Sequence, residues 1–144
     1  MHQILILGAG RIGTLIAHWL EKTGDYKIYL ADINAQAPAI QLDAANPAAV
    51  SDFLKKNPTI STVVSCLPYY HNPAIAELAK KYSLNYFDLT EDIEVVRTIQ
   101  ALSHDSKQAF VHDATIQIAC YVLEFGPARQ MIEQTAFRNR LFVF

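Results

Sequence analysis

The most constraining feature of this chain is a run of six residues, Gly8-Ala9-Gly10-Arg11-Ile12-Gly13, set between two kinds of apolar pattern. Before it stands Ile4-Leu5-Ile6-Leu7, a short continuous apolar run of the kind expected for a strand buried on both faces. After it, Ile12, Leu15, Ile16, Trp19 and Leu20 recur at helical spacing, and Gly24 supplies a stop. The chain therefore passes from strand to helix through a turn built from glycine. That order makes a parallel βαβ unit the natural beginning.

The same alternation continues. Tyr26–Ala31 reads as a second strand and 39–42 as a weaker third. Asn46-Pro47 has the form of a helix cap followed by proline in the first turn, and the helix runs on through Val50, Phe53 and Leu54 to Lys56. Residues 60–67 (ISTVVSCL) form a β-branched strand. Asn72-Pro73 repeats the cap signature before a helix with Ile75, Leu78 and Ala79 inward. Residues 84–89 are a fifth strand. Thr90 is expected to cap the next helix, with Ile93, Val96, Ile99 and Leu102 as its apolar stripe, and 108–112 is a sixth strand.

Strands alternating with helices imply a parallel sheet wrapped on both faces. Right-handed crossovers then favour an α/β doubly wound sheet of Rossmann type, order 3-2-1-4-5-6. A chain of 144 residues, 51% hydrophobic and 18% charged, can bury one such core. Residues 1–112 are expected to form it. Residues 113–144 are expected to form a short helical tail, with helices at Thr115–Phe125 and Pro127–Ala136 and an apolar end at Leu141–Phe144.

A formal net charge of −2 gives no basic excess for nucleic acid or an anionic membrane. No apolar run reaches the roughly 20 residues needed to span a bilayer, and Ile4–Leu7 is too short for a signal-peptide core. Cys66 and Cys120 form no CxxC pair, and no Cys/His spacing fits a metal. The chain reads as soluble and cytoplasmic, with no metal site.

The glycines have a chemical reading. Gly8 permits a tight turn, Gly10 lets the backbone approach a pyrophosphate, and Gly13 lets the helix lie close to the first strand. Backbone N–H groups of Arg11 and Ile12 then face the phosphates from the helix N-terminus. Asp32 ends the second strand 19 residues after Gly13 and is placed to accept hydrogen bonds from ribose hydroxyls. Ile33 and Asn34 bring no cation for a 2′-phosphate, so NAD is expected ahead of NADP. Arg11, the nearby guanidinium, is expected to face the pyrophosphate or solvent rather than a 2′-phosphate, though it could reach one. Asp43-Ala44 falls beside the expected adenine position, where Asp43 is either a contact to the base or an ordinary turn residue. Cys66, Leu67 and Pro68 lie at the rim where the central riboses pass, and Tyr69-Tyr70-His71-Asn72 borders the nicotinamide.

Together, GAGRIG, QLDAAN and SCLPYYHNPAIAELAKKYSLNYFDLTED resemble the N-terminal NAD(P)-binding domain of the saccharopine dehydrogenase-like family, over about residues 3–111. The resemblance supports Gly8, Gly10, Arg11, Ile12, Gly13, Asp32, Asp43, Ala44, Cys66, Leu67 and Pro68 around the cofactor. It implies nicotinamide-dependent oxidative cleavage or formation of a secondary amine, as in saccharopine or carboxynorspermidine. Family members join this domain to a larger one that supplies most substrate contacts and much of a dimer interface. Here the match fails beyond the sixth strand, so the substrate domain is expected to be absent and the chain catalytically incomplete alone. The alternative is a non-catalytic regulatory module like the nucleotide-binding domains of potassium channels and transporters.

No catalytic residue is assigned. His71 and Tyr70 have the best position, as either a proton donor and a cleft wall or solvated loop residues. Asp88, Glu91 and Asp92 are either partners for a cationic substrate or a strand end with helix-dipole carboxylates. The apolar tail is expected to pack at the sixth-strand end of the sheet and to contribute to a homodimer, unless a partner chain supplies the substrate domain.

Overall fold

A computed structural model describes residues 1–112. The elements are β1 (His2–Leu7), α1 (Arg11–Lys22), β2 (Tyr26–Asp32), β3 (Ile40–Gln41), α2 (Pro47–Lys56), β4 (Ile60–Ser65), a 3-10 turn (Tyr69–His71), α3 (Asn72–Lys81), β5 (Asn85–Asp88), α4 (Ile93–Ser103) and β6 (Phe110–Val111). Six strands form one sheet in the order β3-β2-β1-β4-β5-β6, with every paired neighbour parallel. This is the doubly wound arrangement the sequence predicts. The expectations for the tail fall outside the described residues.

The period of two along a strand separates the sheet's faces. Leu5, Leu7, Val63 and Tyr86 join Val50, Leu54, Ile75, Leu78, Val95 and Ile99 in a core beneath α2, α3 and α4. Ile4, Ile6, Val64, Phe87 and Val111 join Ile16, Ala17 and Leu20 of α1 in the other. All four residues of Ile4–Leu7 are buried, which is why β1 reads as a continuous apolar run rather than an alternating one. The link from β2 to β3 contains no helix. Among the described residues α1 therefore stands alone on its face.

Three local expectations are corrected. The helix after β5 is capped by Asp92, whose side chain accepts from the Val95 N–H at 3.0 Å; Thr90 instead accepts from the Asp92 N–H through its hydroxyl. The α4 stripe is centred on Val95 and Ile99, and Ile93 is 66% exposed. On α1, Ile16 and Leu20 are buried as expected, but Ile12, Leu15 and Trp19 face outward.

Candidate dinucleotide site

The carboxyl ends of β1 and β4 lie side by side, and from there the chain proceeds in opposite directions across the sheet. A crevice at such a reversal is where open α/β sheets bind ligands. The glycine run enters it from β1. Gly8 has φ +101°, a conformation that L side chains rarely adopt, and its N–H donates to the Ala31 carbonyl at 2.8 Å. A Cβ there would stand 2.8 Å from the Cys66 carbonyl oxygen. At Gly13 a Cβ would collide with the Gly8 carbonyl oxygen. These two glycines close the turn against β4 and α1.

Gly10 is different. Its φ of −71° and ψ of −170° are open to any residue, and a Cβ there would meet nothing within 4 Å. The fold makes no demand for glycine at this position, and its Cα side is open. Directly after it α1 begins with no side-chain cap and no acidic residue in its first turn. The first N–H groups of a helix lack intrahelical partners and carry the positive end of its dipole. An open backbone facing those donors fits a pyrophosphate.

Asp32 stands beside this turn, half-buried, at the end of β2. Its Oδ2 accepts from the Ala9 N–H at 2.9 Å and its Oδ1 from the Asn34 N–H at 2.9 Å. The carboxylate thus ties β2 to the glycine run and still has lone pairs for hydroxyl donors. Ile33 is exposed next to it and carries no charge. Arg11 is exposed at the start of α1. Asp43 forms a turn: its Oδ1 accepts from the Ala45 N–H at 2.9 Å, leading into Asn46. Ala44 is buried in the core beneath α2.

On the β4 side, the Cys66 N–H donates to the Leu7 carbonyl at 2.8 Å, which welds the rim at the reversal point. Burial pushes the Cys66 thiol up to about 12, so it is neither a nucleophile nor an anion at neutral pH. Leu67 is half-buried and Pro68 exposed. Tyr69 and Tyr70 are exposed, their rings meeting edge to face at 5.6 Å, and the Tyr70 ring lies 4.4 Å from that of His71. Among the described residues no carboxylate orients the His71 ring.

Asp88 is fully buried, with Oδ1 accepting from the Thr90 N–H at 2.8 Å, and Asp92 is spent as a cap. Glu91 is exposed. Sequence reasoning missed a buried polar group of Ser65, Asn72 and Tyr86 beneath this rim. Asn72 is not the expected cap: it is the first residue of α3, and its Oδ1 accepts from the Ser65 hydroxyl at 2.7 Å. No signal in the sequence distinguishes an inward asparagine from a capping one. Among the described residues there is no cluster of three or more metal-ligating side chains. No described helix is long and apolar enough to cross a membrane.

Fold and site together define a dinucleotide-binding α/β domain. Residues 4–118 match the saccharopine dehydrogenase NADP binding domain, and the chain belongs to that family. It is thus a nucleotide-binding domain of the oxidoreductase type. Among solved structures it is similar to saccharopine dehydrogenase (L-Glu forming) from Saccharomyces cerevisiae, at 20% identity over 78% of this chain and 27% of that one, with a TM-score of 0.67. GenD2 from gentamicin A biosynthesis, solved in complex with NAD, matches at 15% identity over 77% of this chain and 34% of that one, with a TM-score of 0.54. RSP, a Rex-family repressor, matches at 15% identity over 86% of this chain and 60% of that one, also with a TM-score of 0.54. At these identities the structures share the fold. No curated protein matches the chain. The chain spans 27% of the length of the yeast dehydrogenase.

Proposed function

We propose that this chain is the cofactor-holding wall of a saccharopine dehydrogenase-like oxidoreductase and that it prefers NAD(H) to NADP(H). The observation that carries the reading is the open side of Gly10 immediately before the uncapped N-terminus of α1. The regulatory-module alternative is not favoured by the family match. Although the family is named for NADP, Asp32 opposes a 2′-phosphate. A carboxylate at that position accepts from free ribose hydroxyls and repels phosphate, and exposed Ile33 beside it offers no compensating charge. Arg11, Ile12, Gly8 and Gly13 complete the pyrophosphate side, and Cys66, Leu67 and Pro68 the central rim. Asp43 and Ala44 shape the adenine side through the turn into α2.

When bound, the nicotinamide supplies hydride chemistry; the chain's own task is to hold and orient it. The proposed substrate class is a secondary amine formed from an amino acid, with the remaining cleft wall supplied by further protein, either a partner chain or a second domain. Residues 113–144 are proposed to assist association, as a homodimer contact. Light scattering on the full chain and on a version ending at Asp113 tests this; a monomer at both lengths removes the dimer.

Calorimetry with NADH and NADPH tests the cofactor assignment. Tighter NADH binding is expected, and equal or tighter NADPH binding would overturn it and make Arg11 the phosphate clamp. Saccharopine turnover by this chain alone, followed through NADH absorbance, is expected to be negligible. A normal dehydrogenase rate would place catalysis on His71 or Tyr70.

A further inference from the structure

Below the rim at the β4 and β5 ends lie polar side chains that neither the pyrophosphate contact nor the ribose contact uses. Ser65 and Tyr86 are fully buried and Asn72 is 1% exposed. The Ser65 hydroxyl donates to Asn72 Oδ1 at 2.7 Å, and the Tyr86 hydroxyl reaches the Asn72 backbone carbonyl at 3.4 Å. Burial first, and then the neighbouring Asp88 carboxylate, raise the Tyr86 phenol far above its ordinary value, so it stays protonated and remains a donor. Burying such groups is unfavourable unless they are hydrogen-bonded, and apolar side chains would fill the space at less cost. What hydrogen bonds add here is a single defined position.

That position belongs to one segment. Residues 66–71 leave β4 and return into α3, and both ends of the segment are tied. At one end the Cys66 N–H is bonded to Leu7. At the other, Asn72 continues the Tyr69–His71 turn directly into α3 with φ −59° and ψ −40°. A residue before proline ordinarily favours extended backbone. Asn72 is nonetheless helical, its N–H donating to the Tyr69 carbonyl, and the bond from Ser65 fixes its side chain beneath the segment. The segment lies across the reversal point from Gly10, on the side away from Asp32. A dinucleotide with its pyrophosphate at α1 and its adenosine at Asp32 must extend its nicotinamide half over this segment.

We infer that Ser65 and Asn72 are positioning residues for the nicotinamide half of the cofactor, acting through the Cys66–His71 segment and touching no ligand themselves. The inference rests on the dinucleotide reading above. Its test uses the full chain, NADH, and ADP-ribose, which keeps the adenosine and pyrophosphate and lacks the nicotinamide. Ser65→Ala and Asn72→Ala are expected to weaken NADH binding by about tenfold, the worth of one buried hydrogen bond. ADP-ribose affinity is expected to stay within about twofold of the parent. The emission of bound NADH, which reports the nicotinamide's surroundings, should shift toward that of free NADH. Ser65→Thr, which keeps the hydroxyl, should restore both. If Asn72→Ala does not fold, Ser65→Ala carries the test. Parallel loss of both ligands would show a merely structural role and overturn the inference. So would an NADH to ADP-ribose ratio and an emission unchanged from the parent. A parent chain that binds neither ligand would overturn the dinucleotide reading itself, and the inference with it.

Discussion

A Cβ at Gly10 projects into open space, whereas one at Gly13 runs into the Gly8 carbonyl oxygen. The two glycines therefore separate binding from folding. Gly10→Leu should leave the melting temperature near that of the parent while weakening NADH by more than about tenfold, since the side chain occupies the pyrophosphate's place. Gly13→Ala should instead destabilise the fold by roughly 1–3 kcal/mol through overpacking, read as a lower midpoint in denaturant. If Gly10→Leu binds NADH normally, the open side is not the phosphate cradle. The glycine run and Asp32 were legible in the sequence because spacing alone places them. The bond that Asp32 accepts from the Ala9 N–H was not, because it depends on how two strands sit side by side. Cys66 gives a further expectation at this scale. Its thiol has an ordinary value near 9 and is raised by burial to about 12. The unfolded chain thus loses this proton first. The contribution to stability is complete below about pH 9 and falls away as pH rises from there toward 12. Cys66→Ala should flatten that part of the alkaline loss in denaturation midpoints measured from pH 8 to 10. An unchanged alkaline slope would show that the thiol is not the source.

Two helices begin with the same dipeptide, and only one uses it as a cap. At Asn46-Pro47 the backbone is extended, with φ −102° and ψ 98°, and the side chain accepts from the N–H groups of Ala48 and Ala49. At Asn72-Pro73 the preceding turn has already brought the backbone into helical geometry, and the side chain points inward to Ser65. Asn46→Ala is expected to cost about 1 kcal/mol in chemical denaturation, with no loss of NADH affinity. A neutral result would mean that solvent satisfies the first turn equally well. The positions of the helices were legible because apolar spacing and proline mark them. The inward face was less so. On α4, Ile93 fits the periodic stripe yet stands just after the Asp92 cap, at the helix edge, while Val95 and Ile99 meet the core. On α1, the apolar positions span more of the helix circumference than one sheet face can cover, so Leu15 and Trp19 remain outside. The Lys22 ammonium lies over the Trp19 ring, 5.4 Å from its centroid.

The strand order of the whole domain followed from two rules, right-handed crossovers and a glycine turn at the centre of the sheet. It did not depend on reading each strand's ends correctly. The third strand shows why the ends were harder: only Ile40 and Gln41 pair, against Ala31 and Asp32. No helix lies between β2 and β3; the strand instead follows a turn in which the Ala39 N–H donates to the Gln36 carbonyl at 3.0 Å, which apolar periodicity does not reveal. This short outer strand has a consequence for motion. Its amides are held by one neighbour and by few ladder bonds, whereas β1 is paired on both sides over most of its length. Openings that require little surface exposure dominate amide exchange at such margins. In deuterated water the amides of 40–42 should therefore exchange by local opening, far faster than those of Leu5 and Ile6. Addition of NADH should slow them, because Asp32, which pairs with Gln41 and accepts from the Leu42 N–H, is where the adenosine would rest. If the adenosine rests at Asp32 as proposed, that end of the cleft should open most readily, and cofactor capture should begin at the phosphate and finish there.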